Sequence, residues 1–178
     1  NVAIPLASGT TTGVYHHMFL VSATTSVYVS SIGIKCNNTV GTLTAWDIYY
    51  RPDNYQTVSG ANTNSAGWTL LSSVTGVPSV GATNYTTISV PLNLAIPSGA
   101  TYSFYVAPGA GATHQYATSA IGTTVASNSD LALKAGNRGS ALFNCATNGG
   151  MACVKLNYST GCEGVRVPVV ATVGPVVS

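Results

Sequence analysis

The sequence has few charged side chains. Lysine, arginine, aspartate and glutamate make up 6% of its 178 residues, four of them are carboxylates, and the formal net charge is +2. An ordinary soluble domain carries about 25% charged residues. Glycosidase chemistry needs two suitably spaced carboxylates, and nucleic-acid binding needs clustered basic residues. We therefore expect neither an enzyme with catalytic residues nor a nucleic-acid-binding protein.

Long apolar runs and catalytic motifs are also lacking. No apolar run approaches the roughly 20 residues that span a bilayer, so we expect no membrane insertion. The many serines include no Gly-x-Ser-x-Gly elbow. His16 and His17 are adjacent, and neighbouring residues of a strand point to opposite faces. We therefore expect one surface histidine and one packed beside Tyr15 or Met18, rather than a shared metal ion.

Short runs of β-branched and aromatic residues fill most of the chain, with Gly, Pro, Asn and Ser clusters between them. In residues 101–106 a period of two places Phe104 and Val106 inward and Tyr105 outward. About nine short antiparallel strands predict an all-β fold, a jelly-roll-like β-sandwich. The predicted strands are 14–21, 27–36, 44–50, 68–75, 86–90, 101–106, 130–135, 153–158 and 165–173.

The last segment differs from the rest. Residues 1–160 are predicted to form the sandwich module, and residues 161–178 a Val-rich strand whose Pro168 suits a sheet edge. This strand either completes the sandwich or is donated to the open sheet edge of a neighbouring copy. Its alternate positions, which form the predicted assembly strand, are Val165, Val167, Val169, Ala171 and Val173.

Four cysteines, Cys36, Cys145, Cys153 and Cys162, allow three disulfide pairings, and their spacing matches no zinc motif. A Gly-rich turn between Cys145 and Cys153 favours a bridge between these two, which leaves Cys36–Cys162 as the second. Free buried thiols are the alternative. Disulfides would place the protein outside the cell or at the cell surface.

Tyrosine is abundant, with ten tyrosines against three phenylalanines. Tyr49 and Tyr105 fall on the outward side of their predicted strands, where aromatic rings can stack on sugar faces or anchor an interface. Ordinary cross-strand packing is the alternative. The two tyrosines are the predicted ligand-binding residues.

A structural Ca²⁺ ion is the one cofactor that the sequence leaves open, and no other is expected. Asn128 and Asp130 are the candidate ligands, with Asp53 and Asn54 as a second pair. Loops of β-sandwiches often supply such oxygens to calcium. Turn capping is the alternative for both pairs, and it is the favoured one.

Several segments carry a resemblance to a known group of proteins. They are residues 18–19, 47–52, 68–71, 96–106 and 127–131. Together they resemble a β-sandwich module of large secreted or surface adhesin-like proteins of Bacteroidetes-type bacteria. The stretch 161–169 is similar to the closing strand of the Ig-like repeats in such proteins. The resemblance covers residues 14–173, and it implies a sandwich fold and an adhesive or scaffolding role.

These observations predict a non-enzymatic structural or adhesive protein, extracellular or at the cell surface. It would self-assemble with copies of the same chain, into filaments or a surface layer, through terminal strand exchange. The alternative is a carbohydrate-binding module that binds glycans by stacking on Tyr and Trp. A virion or sheath component would meet the same physical demands.

Overall fold

A computed structural model of the protein describes Val2–Ala3, residues 11–146 and residues 148–161. These residues form thirteen strands and one short 3-10 helix at Tyr55–Thr57. The strands are β1 (Val2–Ala3), β2 (Thr11–Gly13), β3 (His16–Ala23), β4 (Val27–Ile34), β5 (Leu43–Arg51), β6 (Thr69–Pro78), β7 (Thr86–Ile96), β8 (Thr101–Pro108), β9 (His114–Ala117), β10 (Thr124–Ser127), β11 (Leu131–Gly139), β12 (Asn148–Ala152) and β13 (Val154–Thr160).

The strands form two antiparallel sheets, so the predicted all-β sandwich is confirmed. The smaller sheet has the order β1-β13-β4-β7. The larger sheet has the order β2-β9-β12-β11-β3-β8-β5-β6, and β10 pairs with β11 beside this path. In the part of the chain that the structure describes, no helix is long and apolar enough to cross a membrane.

Eight of the nine predicted strands have counterparts, and the ninth, residues 165–173, lies outside the described residues. The five further strands, β1, β2, β9, β10 and β12, are two to five residues long. A run that short has too few residues for its alternation to stand out from a loop.

The main core lies between the two sheets. Phe19 of β3 and Phe104 of β8 are paired across the larger sheet, with ring centroids 5.6 Å apart. Ile32 of β4 and Leu156 of β13 are paired in the smaller sheet, and all four side chains are buried in one cluster. Side chains alternate between the faces of a strand, so Met18 and Tyr105, the neighbours of the two phenylalanines, point to the opposite face.

That opposite face of the larger sheet carries a second buried group, which we call the outer cluster. Its buried members are Met18, Leu20, Tyr55, Ala61, Tyr105, Ala107 and Cys145, and Tyr49, Trp68 and Phe143 pack against them. Residues from the 55–68 and 143–145 segments belong to it, so these segments cover the sheet. The sandwich therefore has two buried layers.

Gly136 of β11 brings the 3-10 helix close to the sheet. A Cβ atom there would overlap the Met18 carbonyl and the Tyr55 hydroxyl. The space allows the Tyr55 hydroxyl to accept a hydrogen bond from the Asn137 N–H (2.8 Å) and to donate one to Asn137 Oδ1 (2.7 Å). A larger residue at this position would separate the helix from β11.

Candidate functional site

The predicted tyrosine site is closed. Tyr49 and Tyr105 are neighbours on the same face, with ring centroids 5.8 Å apart. Trp68 and Phe143 lie over Tyr105, at centroid distances of 5.7 and 4.9 Å, and Tyr105 has no exposed surface. The prediction that Tyr105 is available to a ligand is wrong, because the outward face of β8 is covered by loops.

Hydrogen bonding fixes Tyr105 in this position. Its hydroxyl accepts a hydrogen bond from the Phe143 N–H (2.9 Å), and burial raises the pKa of the phenol. Phe143 has a φ of 50°, a left-handed conformation that is uncommon for a bulky residue. Tyr105 therefore holds a strained turn over the sheet and is a structural residue.

Asn128 and Asp130 form a capped turn. Asn128 Oδ1 accepts hydrogen bonds from the N–H groups of Asp130 (2.9 Å) and Leu131 (3.1 Å). The Tyr158 hydroxyl donates to Asp130 Oδ2 (2.9 Å) and accepts from Asn128 Nδ2 (2.7 Å). Asn128 therefore caps the turn before β11, as the turn-capping interpretation predicts. The bonds to Tyr158 also join this turn to β13.

Asp53 and Asn54 also stabilise a turn. Arg51 forms an ion pair with Asp53, in which Nη2 donates to Oδ2 over 2.9 Å. Asn54 Oδ1 accepts from the Gln56 N–H (3.0 Å) and so caps the 3-10 helix. Within the described ranges, no group of three or more His, Cys, Asp or Glu side chains is placed to hold a metal ion.

Cys36, Cys145 and Cys153 are buried free thiols, so the predicted Cys145–Cys153 bridge is not formed. Cys145 belongs to the outer cluster, with its Sγ 3.7 Å from the His16 carbonyl oxygen. Cys153 lies between β12 and β13, where its carbonyl accepts from the Lys35 N–H. The Gly-rich segment between the two cysteines thus leads from the outer cluster to the smaller sheet. Cys162, the predicted partner of Cys36, lies outside the described residues.

The predicted assembly strand also lies outside the described residues, but an open sheet edge is present. Among the described strands, β6 pairs only with β5, and it ends the larger sheet. Its ten residues include no charged side chain. Leu70 on this strand is 51% exposed. Edge strands commonly carry charges that oppose pairing with another chain, and β6 lacks this protection.

Geometry protects β6 in part. Its register against β5 shifts twice, between Thr44 and Trp46 and between Ile48 and Tyr49, and in both places the additional residue is in β6. Such bulges bend a strand and interrupt regular pairing. Pro78 ends the strand. The regular part of the edge is therefore short, at residues 72–74.

A buried histidine pair lies at one end of the sandwich. His17 of β3 and His114 of β9 have ring centroids 5.1 Å apart, and neither has any exposed surface. None of their four ring nitrogens has a hydrogen-bond partner of ordinary geometry among the described residues. Burial lowers the pKa of His114 to about 4. It also lowers that of His17, where nearby His114, Arg138 and His16 add to the effect and a backbone contact with Gly150 opposes it.

Sequence reasoning expected a packed histidine but missed this partner. His17 is paired with Val106, which belongs to the main core. Paired residues share a face of the sheet, so the His17 side chain also points inward. His114 is far away in the sequence and lies on a strand of only four residues. Its ring also contacts that of Trp46, at 5.8 Å. No short-range pattern connects these residues.

Arg138 of β11 lies beside the histidine pair. Its guanidinium carbon is 5.3 Å from the centre of the Tyr15 ring and 4.7 Å from that of Tyr116. Its buried Nε atom has no hydrogen-bond partner in the part of the chain that the structure describes. A cavity of about 220 Å³ opens beside it, lined by Tyr15, Arg138, Gly139, Ser140, Asn144, Ala146 and Asn148.

Comparison with known proteins assigns no family, since neither a protein-family model nor a curated protein matches this chain. The functional argument therefore depends on the sequence and on the geometry of the described residues.

Proposed function

We propose that the protein is a non-enzymatic structural or adhesive β-sandwich module, extracellular or at the cell surface, that associates with copies of itself. The observation that carries this proposal is the uncharged open edge of the larger sheet at β6. An edge without charge offers free backbone groups and no electrostatic barrier to another chain.

The described carboxylates support the non-enzymatic part of the proposal. Asp47 accepts a hydrogen bond from the Ser73 hydroxyl (2.6 Å), Asp53 pairs with Arg51, and Asp130 accepts from Tyr158. Each carboxylate therefore stabilises a strand edge or a turn in a different part of the fold. An acid–base pair would require two of them to face one substrate.

The proposed occupant of the β6 edge is the Val-rich segment 165–173 of a neighbouring copy. Its alternating Val and Ala residues suit an extended strand with one apolar face. The bulges limit regular backbone pairing to residues near 72–74, so contact with the exposed Leu70 side chain would supply much of the attraction.

Edge β6 is a better acceptor than edge β7. The Ser72 hydroxyl donates to the Ser89 carbonyl of β7 (3.1 Å), which joins the two sheets at this side. Each strand ends its own sheet, but the Ser89 carbonyl of β7 is already used as an acceptor by this side chain of β6.

The proposed location depends on the hydroxyl-rich, weakly charged composition and on the resemblance to secreted modules. The described cysteines are thiols and give it no support. The alternative of sugar stacking on Tyr49 and Tyr105 is not supported either, because Tyr105 is buried.

Sedimentation velocity of the purified chain tests the proposal, with Leu70→Lys as the disrupting variant. A lysine at this exposed position places a charge on the edge without touching the core. Val40→Lys is the matched control, since Val40 is 71% exposed and lies outside the strands. A chain shortened by residues 165–178 tests the donor segment.

We expect the unaltered chain and Val40→Lys to form oligomers, and we expect Leu70→Lys and the shortened chain to remain monomeric. Electron microscopy of the oligomers would show whether they are filaments or a layer. A monomeric unaltered chain at all concentrations, or oligomers of the same size in all four proteins, would show the proposal to be wrong.

A further inference from the structure

The cavity beside Arg138 lies at one end of the larger sheet. Tyr15 immediately precedes β3, Arg138 is near the end of β11, and Asn148 begins β12. In the sheet register, Arg138 lies opposite both His17 and Asn148. The end of β11, the start of β12 and the residue before β3 therefore line one opening.

Arg138 carries a positive charge that no described group neutralises. The one ion pair among the described residues is Arg51–Asp53, and no described side chain or carbonyl accepts a hydrogen bond from Arg138. The faces of Tyr15 and Tyr116 attract the cation. The face of an aromatic ring has no lone pair, so the two tyrosine rings do not act as ordinary hydrogen-bond acceptors for the five N–H donors of the guanidinium. A partly buried cation of this kind is usually paired.

We infer that this cavity binds the carboxylate group of an acidic saccharide unit, with Arg138 as its anion-binding residue. A guanidinium matches a carboxylate with two parallel hydrogen bonds. The two tyrosines hold the guanidinium in one orientation, so little conformational freedom is lost when the anion binds. This inference is independent of the proposed self-association.

The rest of the lining favours a sugar as the carrier of the carboxylate. Ser140, Asn144 and Asn148 provide a hydroxyl and two amides, which donate to and accept from sugar hydroxyl groups. The cavity has a volume of about 220 Å³. It is smaller than the pockets of roughly 300–1,000 Å³ that enclose drug-sized ligands. A single ring with one carboxylate suits a space of this size.

Isothermal titration calorimetry with D-glucuronate as the probe tests the inference. D-glucose is the neutral control, and acetate is the control for a carboxylate without a ring. We expect glucuronate to bind with a Kd on the order of 1 mM, which an ordinary ligand efficiency gives for about thirteen non-hydrogen atoms. We expect glucose and acetate each to bind about tenfold more weakly or worse.

Arg138→Gln removes the anion-binding group, and we expect it to weaken glucuronate binding about tenfold or more. Lys134→Gln is the matched control, since Lys134 lies on the same strand and outside the cavity, and its binding should not change. If Arg138→Gln does not fold, Asn148→Ala replaces it, because Asn148 is exposed and its loss removes only an amide. We expect this variant to weaken glucuronate binding several-fold.

Three results would overturn the inference. The first is that Arg138→Gln leaves glucuronate binding unchanged. If Arg138→Gln does not fold, the same holds for unchanged binding by Asn148→Ala. The second is equal affinity for glucose, which would make the guanidinium irrelevant. The third is equal affinity for acetate or for a short acidic peptide, which would show that the cavity recognises a carboxylate without a sugar ring. Since self-association is measured separately, neither proposal depends on the outcome of the other.

Discussion

The layer between the sheets and the outer cluster are stabilised differently, although they share the strands β3 and β8. The main core is largely aliphatic, with Phe19 and Phe104 at its centre. The outer cluster is aromatic and polar, and hydrogen bonds of Tyr105, Tyr55 and Trp68 hold its covering segments in place. Tyr105 accepts from Phe143, Tyr55 bonds to Asn137, and Trp68 donates to the Ala61 carbonyl (2.8 Å).

This difference gives Tyr105 a role that a phenylalanine could not fill. A loop that covers a sheet has backbone N–H and C=O groups that need partners when they are buried. A tyrosine on the sheet provides both an apolar ring and a hydroxyl that can meet such a group. The outer cluster is therefore a device that holds loops against the sheet, and the main core joins the two sheets.

The largest expected effect comes from Phe104→Ala, which opens a cavity in the main core. We expect a loss of about 3–5 kcal/mol in the free energy of unfolding, measured by urea denaturation. Tyr49→Ala in the outer cluster is the comparison, and it should cost less because Tyr49 is partly exposed. An equal or larger loss for Tyr49→Ala would contradict the division into a main core and a covering layer.

Acid should weaken the histidine end of the inter-sheet layer, where the ring nitrogens of His17 and His114 have no hydrogen-bond partner of ordinary geometry among the described residues. His114 has a pKa of about 4 in the folded protein, against an ordinary value of 6.5. Below pH 6.5 the unfolded chain therefore binds a proton that the folded protein does not. The free energy of unfolding falls between pH 6.5 and pH 4, by about 3 kcal/mol from this group alone. Above pH 6.5 both states are neutral, and the effect is absent.

His114→Phe isolates this contribution from that of the carboxylates. Phenylalanine keeps an aromatic ring beside Trp46 and removes two nitrogens that have no partner among the described residues. Urea denaturation at pH 7 and pH 4 should show a smaller loss of stability on acidification in the variant, by about 3 kcal/mol. The same loss in both proteins would mean that His114 does not titrate as the structure indicates.

The smallest effect is expected for Tyr105→Phe, which keeps the ring and removes the hydroxyl. The Phe143 N–H would lose its partner, at a cost of about 1–2 kcal/mol. Amide hydrogen exchange at Phe143 should become faster than in the unaltered protein, while exchange at Phe104 changes little. Unchanged protection at Phe143 would show that the turn is held by packing alone.

The period-two pattern predicted which residues of a strand share a face, and it did so correctly for Phe104 and Tyr105. It did not predict that loops would cover the outer face, because a strand pattern contains no information on loop placement. The failure at Tyr105 follows from this. The turns at Asn128 and Asn54 were recognisable, since Asx capping is determined within a few residues.

The Arg138 cavity and the His17–His114 pair were not predictable. Each joins residues from strands that are distant in the sequence, and β9 and β12 are too short for their patterns to be recognised. The Cys145–Cys153 prediction failed for a related reason. Cys145 and Cys153 are close in the sequence, but the segment between them leads from the outer cluster to the smaller sheet. The two thiols are therefore held apart.

Sedimentation velocity of the unaltered chain beside Leu70→Lys and Val40→Lys tests the central claim most directly. If the uncharged edge at β6 joins copies of the protein, the unaltered chain and Val40→Lys will sediment as oligomers and Leu70→Lys as a monomer. If all three sediment alike, the β6 edge is not an assembly surface and the proposed function is wrong.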